Sequence, residues 1–375
     1  MEKELKQFID KIEGLDVVAM EEAESRQEQL AKPTGALGVL EELSIQLAGI
    51  TGNVKNKMDK QAIVVMSADN GVVEEGVASA PQSVTYSQTI NFTRGLTGVG
   101  SLAKYYDIDL LVVDCGVKMN LPKDLLVASP VENGELTKKI VDRRMAPGTN
   151  NLAVEPAMIR EQAIASIITG IECAKAIKYT GHDIFGVGEM GIGNTTTSAC
   201  ILSALTGASG NEVVGRGGGL NDAGLMKKID IVNRASQRAV MESEDVIDIL
   251  AQVGGFDICA MVGAYLGAAV YKIPVVIDGY ISAVAALAAT KIEPKCKAYM
   301  IGSHESTEPG YLIAMKYLGL TPLFNLKMRL GEGSGCPISF KIVEAACATM
   351  NLMATFEEGA IDADYLEEGK EGNFF

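Results

Sequence analysis

Short apolar runs recur along this chain, each closed by glycine or a polar turn and separated by helical patterns, and few folds accommodate that rhythm. The runs are 62–67 before Ala68-Asp69-Asn70-Gly71, 110–113 before Asp114-Cys115-Gly116, 184–187 before Gly188, 275–277 before Asp278-Gly279, and 298–301 before Gly302-Ser303-His304. Unbroken rather than alternating apolarity fits strands buried on both faces. Between them, Pro156 is expected to open a helix striped with Ile164, Ile167, Ile168 and Ile171, and Asn194 to cap another that stops at Gly207. This alternation predicts an α/β domain with a mainly parallel sheet.

The two ends of the chain read differently. Residues 3–12, 37–47 and 338–356 have helical spacing with no strand between them. They are expected to form a small discontinuous helical domain, 1–59 with 336–375, beside a large catalytic domain at 60–335. The acidic tail after Glu357 is expected to be poorly ordered. The segment 258–270 is apolar but only about half a membrane span, bracketed by Asp257 and Lys272, so a buried helix is expected. Met1-Glu2-Lys3-Glu4 lacks the apolar stretch of a signal peptide.

Charge and cysteine usage narrow the partners. The formal net charge is −15 and Lys and Arg do not run together, which disfavours nucleic acid and anionic membrane. A small anionic substrate would then need local backbone N–H groups or a single Lys or Arg. Seven cysteines without a CxxC pair suggest reduced, buried thiols and a cytoplasmic location. With His182 and His304 the only histidines, a His-rich metal site is excluded, and neither metal nor cofactor is expected.

Several loops carry possible chemistry. In Leu330-Gly331-Glu332-Gly333-Ser334-Gly335 one carboxylate hangs on nearly bare backbone, either a turn or a site where a ligand approaches closely. Gly188-Glu189-Met190-Gly191-Ile192-Gly193-Asn194-Thr195-Thr196-Thr197 runs from a strand into a helix and offers N–H groups and hydroxyls to a phosphate, or a plain tight turn. Its glycines fall as G-x-x-G-x-G, which is not a dinucleotide fingerprint, and no Walker A sequence is present. Gly215-Arg216-Gly217-Gly218-Gly219-Leu220-Asn221-Asp222 is a second cluster whose three adjacent glycines suit a ligand's close approach. Lys228 beyond it could neutralise a phosphate, although taken alone it reads as a solvated surface lysine. Glu189 and Glu332 are the carboxylates embedded in glycine-rich loops. His304 reads as either a catalytic group or, more readily, a satisfied turn residue, and residues 81–88 as either a ring-binding wall or a helix entry.

In order, these segments resemble the nicotinate-nucleotide–dimethylbenzimidazole phosphoribosyltransferases. The matching stretches also include Lys32-Pro33-Thr34-Gly35-Ala36-Leu37-Gly38 with Leu40-Glu41-Glu42-Leu43, and Ala68-Asp69-Asn70-Gly71-Val72 with Glu75-Gly76-Val77, so the likeness spans about 32 to 358. The family usually shows Asp-His-Gly at 69–71, and a small residue where this chain has Cys336, which could reshape the pocket nearby. The resemblance implies a Rossmann-like sheet flanked by helices, a small helical domain from both termini, and a homodimer. It implies Glu332 as general base with Glu189 as a supporting carboxylate. It places Ser83, Gln88, Met190 and Leu330 around the acceptor base. It places Gly191, Gly217, Gly218, Gly219, Lys228, Asp278 and Ser306 at the ribose phosphate.

The implied reaction moves ribose 5-phosphate from nicotinate mononucleotide to a benzimidazole nitrogen. A cationic pyridinium leaves without acid assistance and no pyrophosphate is released, so one base suffices. Dimethylbenzimidazole, other benzimidazoles, purines and phenolics all remain open as acceptors, since a pocket discriminates a methylene by only about 1–3 kcal/mol. Two alternatives are a magnesium-dependent transferase using phosphoribosyl pyrophosphate, for which Asp114-Cys115-Gly116 is a faint acidic loop, and a non-catalytic nucleotide-binding regulator with no need of Glu332.

Overall fold

The apolar runs line up as one parallel sheet in the computed structural model of the chain, which describes residues 1–217 and 219–362. The strands are β1 (Gln61–Ala68), β2 (Asp109–Gly116), β3 (Leu126–Val127), β4 (Val131–Glu132), β5 (Glu135–Leu136), β6 (Ile140–Asp142), β7 (Ile184–Met190), β8 (Val275–Ile277) and β9 (Met300–Gly302). Seven of them join in the order β3-β6-β2-β1-β7-β8-β9, while β4 and β5 pair separately as an antiparallel ladder. β1 is central and buried throughout, with Val64 opposite Leu111 on one side and Val187 on the other. All five expected strands are present; β3, β6 and the β4–β5 pair were not anticipated.

The strand order explains where a ligand can sit. The chain leaves β1 to form β2 on one side and later returns to lay β7 on the other. Loops leaving the carboxyl ends of β1 and β7 therefore diverge, and the crevice between them is the usual ligand site of such sheets.

The helices follow as α1 (Glu2–Ile9), α2 (Val17–Gln29), α3 (Val39–Thr51), α4 (Ser83–Thr93), α5 (Gly98–Tyr106), α6 (Arg160–Tyr179) and α7 (Asn194–Thr206). They continue as α8 (Gly210–Val213), α9 (Asp222–Glu242), α10 (Val246–Val253), α11 (Phe256–Val270), α12 (Tyr280–Ile292), α13 (Pro309–Leu318) and α14 (Cys336–Leu352). Two compact units result: residues 1–13 with 60–339, and 14–59 with 340–362 of the described chain. The helix expected at 3–12 is α1, and it belongs to the large unit rather than with the other terminal helices. Its buried Leu5 faces that unit, where α1 packs on α6 and α11, and Arg160 reaches Glu2 at 2.7 Å as well as Asp245 and Asp248 at the start of α10.

Within the large unit, α11 is buried along nearly its whole length and packs on α6. Their backbones touch: a Cβ on Gly263 would strike the Ile167 carbonyl, and one on Gly170 the Ala260 carbonyl. The apolar 258–270 run is thus a core helix, as expected. Among the described residues no helix is long and apolar enough to cross a membrane.

Two helix starts differ from expectation. α6 opens at Arg160 rather than Pro156, because the N–H groups of Ala157 and Met158 donate to the carbonyls of Gln252 and Ala251 and hold that stretch outside the helix. Asn194 is the first residue of α7 and not its cap, since its side chain is engaged elsewhere; the helix does end at Gly207. In the small unit, α2, α3 and the later residues of α14 gather Ala19, Ala23, Ala48 and Met350 into a core, with Ile45 and Val54 against it. There Lys32 pairs with Glu41 at 2.8 Å, both buried, and Glu41 also accepts the Leu37 N–H.

The α6–α11 contact yields a test. Gly263→Val should separate the helices and destabilise the fold by about 1–3 kcal/mol or more, seen as a lower urea midpoint. An unchanged midpoint would contradict backbone contact.

Candidate active site

A cavity of about 370 Å³ opens at the crevice, walled by loops after β1, β7, β8 and β9 and by residues 329–332. That volume suits a small-molecule site. Its defining wall is the Gly331–Gly335 segment. Gly331, Glu332 and Gly333 have φ of 83°, 64° and 90°, three left-handed residues in succession. For glutamate that conformation costs roughly 1–2 kcal/mol. Hydrogen bonds offset it: Gly333 and Gly335 donate to Asp278 Oδ2 and Oδ1 at 3.0 and 2.7 Å, and Glu332 N–H donates to Glu189 Oε1 at 3.2 Å. A Cβ on Gly188 would strike the Glu332 carbonyl, so a bare strand lets the loop lie against β7.

The loop turns the Glu332 carboxylate toward the start of α5. Oε2 accepts the Val99 N–H at 3.0 Å, and Oε1 accepts Gln88 Nε2 at 3.4 Å. Burial raises the carboxyl above its ordinary range, against the lowering effect of the Val99 and Gly98 N–H groups, Thr97 and Gln88. Gly98 must lack a side chain, because a Cβ there would meet Leu330 and the carboxylate.

More carboxyl groups stand close by. Burial pushes Glu189, Asp257 and Asp278 each up to about 7. Asn194 Nδ2 donates to Glu189 Oε2 at 2.6 Å and to Asp257 Oδ2 at 3.1 Å. His304 lines the cavity rather than a remote turn, with Nδ1 3.1 Å from Ser303 Oγ, and burial lowers it to about 4, so it is neutral at neutral pH.

The remaining walls sort into two kinds. Val77, Val84, Met190, Ile192 and Leu330 supply apolar surface for a ring. Gly191, Thr195, Gly217 and Ser306 bring the start of α7 and two loops together as a polar wall of N–H groups and hydroxyls, chemistry that suits an anion. Lys228 backs this site instead of being a surface lysine: it is 1% exposed, and its Nζ donates to Thr195 Oγ1 at 2.9 Å and to the Gly215 carbonyl at 3.4 Å. Burial lowers it to about 8, which leaves it mainly charged at neutral pH.

Of the sequence-derived candidates, Gln88, Glu189, Met190, Gly191, Gly217, Asp278, Ser306, Leu330 and Glu332 all line the cavity. Ser83 is exposed at the first position of α4, where its neighbour Val84 faces the cavity instead. Gly219 is an exposed turn glycine with φ 122°, and Gly218 lies outside the described residues. Asp278 faces the cavity while both of its oxygens hold loop amides.

Three other readings change. Cys336 does not line the cavity; it packs under Gly186, with Sγ 3.8 Å from the Val276 carbonyl. Asn70 is buried and accepts from Thr197 Oγ1 at 3.1 Å. Asp114 caps its own turn through the Gly116 and Val117 N–H groups, so the faint acidic loop there is a structural turn. Thr97-Gly98-Val99 and Asp257 were missed. Threonine before a helix-opening Gly-Val-Gly was a readable cap signal, whereas Asp257 looks like any acid in a first helical turn.

Fold and site together define the class: a parallel-sheet α/β enzyme with an anion site beside an apolar cleft and a buried carboxylate. Comparison with known proteins takes this further. A phosphoribosyltransferase family model matches residues 12–361. The chain is 50% identical over 367 residues, covering 98% of both chains, to nicotinate-nucleotide–dimethylbenzimidazole phosphoribosyltransferase of Clostridium perfringens. It is 43% identical over 370 residues, again 98% of both chains, to the Clostridium tetani enzyme of that name. The crystal structure of the Thermus thermophilus enzyme superimposes with a TM-score of 0.85 at 34% identity, covering 93% of this chain and 99% of that one. The chain belongs to the nicotinate-nucleotide–dimethylbenzimidazole phosphoribosyltransferase family and is a pentosyl-transferring enzyme.

The raised carboxyl groups make stability pH-dependent. Asp257 Oδ1 faces no donor, so in the folded state Asp257 keeps, up to about 7, a proton that the unfolded chain has already lost. Stability should therefore fall as pH rises through that value. His304 acts in the opposite sense, but its window closes at its ordinary 6.5. Between about pH 6.5 and 7.5, below the window in which Lys228 at about 8 acts the other way, the ligand-free protein should lose roughly 0.5 kcal/mol, measured as a falling urea midpoint. A rising midpoint would contradict the assignment.

Proposed function

We propose that the chain transfers ribose 5-phosphate from nicotinate mononucleotide to 5,6-dimethylbenzimidazole or a related base, giving α-ribazole 5′-phosphate and nicotinate for the nucleotide loop of cobamides. The observation that carries this reading is Glu332, one oriented carboxylate beside an apolar cleft, with a buried lysine behind the nearby anion site. The large α/β unit is the catalytic domain. The family resemblance supports a homodimer, and free, buried cysteines suit a cytoplasmic location.

The chemistry follows from these groups. The C1′–N bond to the pyridinium breaks with its electron pair passing to the nicotinate nitrogen, so the leaving group needs no proton. The acceptor nitrogen forms the new bond to C1′, and its N–H proton passes to Glu332. The start of α7, Gly217 and Lys228 hold the phosphate; Gln88, Met190 and Leu330 bound the acceptor ring. Glu189 keeps the Glu332 amide in place. A base whose pKa is drawn upward from that of an ordinary carboxyl is better matched to proton transfer near neutral pH.

Glu332→Gln should fold and bind nicotinate mononucleotide but lose about 10²- to 10⁴-fold in kcat; near-wild-type turnover would refute the base. Because Glu332 must be ionised to act, kcat should rise with pH through its raised pKa, placing the acid limb above the ordinary carboxyl value of 4.5. Lys228→Met should raise KM for nicotinate mononucleotide by about 10- to 100-fold, the worth of a charged hydrogen bond, while KM for the acceptor moves little. Equal effects on both substrates would argue against a phosphate role.

A further inference from the structure

Asp257 is a fully buried carboxyl that the transfer reaction leaves without a task. It lies in the first turn of α11, and a Cβ on Gly191 would come within 2.6 Å of its Oδ2, so it sits directly beneath the anion-binding loop. Asn194 Nδ2 has two hydrogens and bridges Asp257 Oδ2 to Glu189 Oε2. The remaining oxygens of the two acids differ. Glu189 Oε1 accepts the Glu332 N–H, so both Glu189 oxygens face donors and a proton on either would clash. Asp257 Oδ1 is buried and has no hydrogen-bond partner among the described residues. That oxygen is the place in this pair where a proton fits.

We infer that Asp257 is a positioning residue that holds the proton of the pair, leaving Glu189 ionised to fix the backbone of Glu332. The titratable groups facing Asp257 are Glu189 from β7, Cys115 from β2 and Cys259 from its own helix. Burial, reinforced by Glu189, outweighs the Asn194 and Ile258 N–H groups that favour the anion. Loss of this proton puts two anions on one amide and disturbs the contact that orients Glu332. Turnover should therefore decline on the alkaline side, with KM for nicotinate mononucleotide less affected than kcat.

The kinetic part of this inference rests on the proposed transfer reaction; its spectroscopic part does not. Asp257→Asn has no proton to lose, so its kcat profile should keep the acid limb but lose the fall above neutral pH. In infrared difference spectra the wild type should show a protonated-carboxyl C=O band at about pH 6 that disappears by about pH 9 and is missing from Asp257→Asn, as expected for a carboxyl raised by burial. An alkaline limb at the same position in the variant, or a band between pH 6 and 9 that is undiminished in Asp257→Asn, would overturn the inference. Should the variant fail to fold, aspartate-specific ¹³C labelling of the wild type reads the same titration, and an Asp257 already fully ionised at about pH 6 would be equally fatal. If the wild type does not consume nicotinate mononucleotide, the transfer reading fails while the spectroscopy still decides the proton.

Discussion

The site depends on one carboxyl group holding two amide hydrogens. Asp278 follows the three-residue strand β8 and accepts from Gly333 and Gly335 on either side of the loop's turn. Its own backbone is pinned in turn, its N–H to Ser282 Oγ at 2.9 Å and its carbonyl by Ser303 Oγ at 2.8 Å. A left-handed glutamate flanked by glycines would otherwise relax to a more extended conformation and swing its carboxylate away from α5. The anchoring converts a flexible sequence into a fixed one. It also explains why the loop is built of glycine: amides must approach Asp278 and β7 more closely than side chains permit.

Electrostatics at the site run against those of the whole protein. The chain carries a net charge of −15, and several of its carboxyl groups line the cavity. While the acids nearest it are engaged by N–H donors, the proposed anionic donor would be met by a positive potential that is local. It comes from the first turn of α7 and from Lys228, whose burial removes competing water. Net charge therefore says little about which ligand binds; the placement of one ammonium group and a few N–H groups says much more.

The strand pattern was legible because fully buried parallel strands carry unbroken apolar runs, as at β1 and β7. The edge strands were not, since β3 and β6 are two and three residues long and give no periodicity. The β4–β5 hairpin had a readable signal in Asn133-Gly134, both at positive φ, that went unused. Glu332 stood out by the oddness of an acid among glycines. Lys228 did not, because its burial is decided by α7 and the Gly215 loop rather than by its own neighbours in α9. Asp257 was invisible for the same reason: its partners, Asn194 and Glu189, lie in distant segments. Side chains whose role is set by long-range contacts cannot be weighed from local spacing, and the site contains several.

The pairing of Gln88 with Glu332 joins residues 244 positions apart. A ribosome delivers the start of α5, the Gly188–Thr197 loop and every strand of the sheet before it delivers Glu332. On the proposed reading, competence for reaction therefore coincides with the closing of the last loop onto Asp278 and the completion of the large unit.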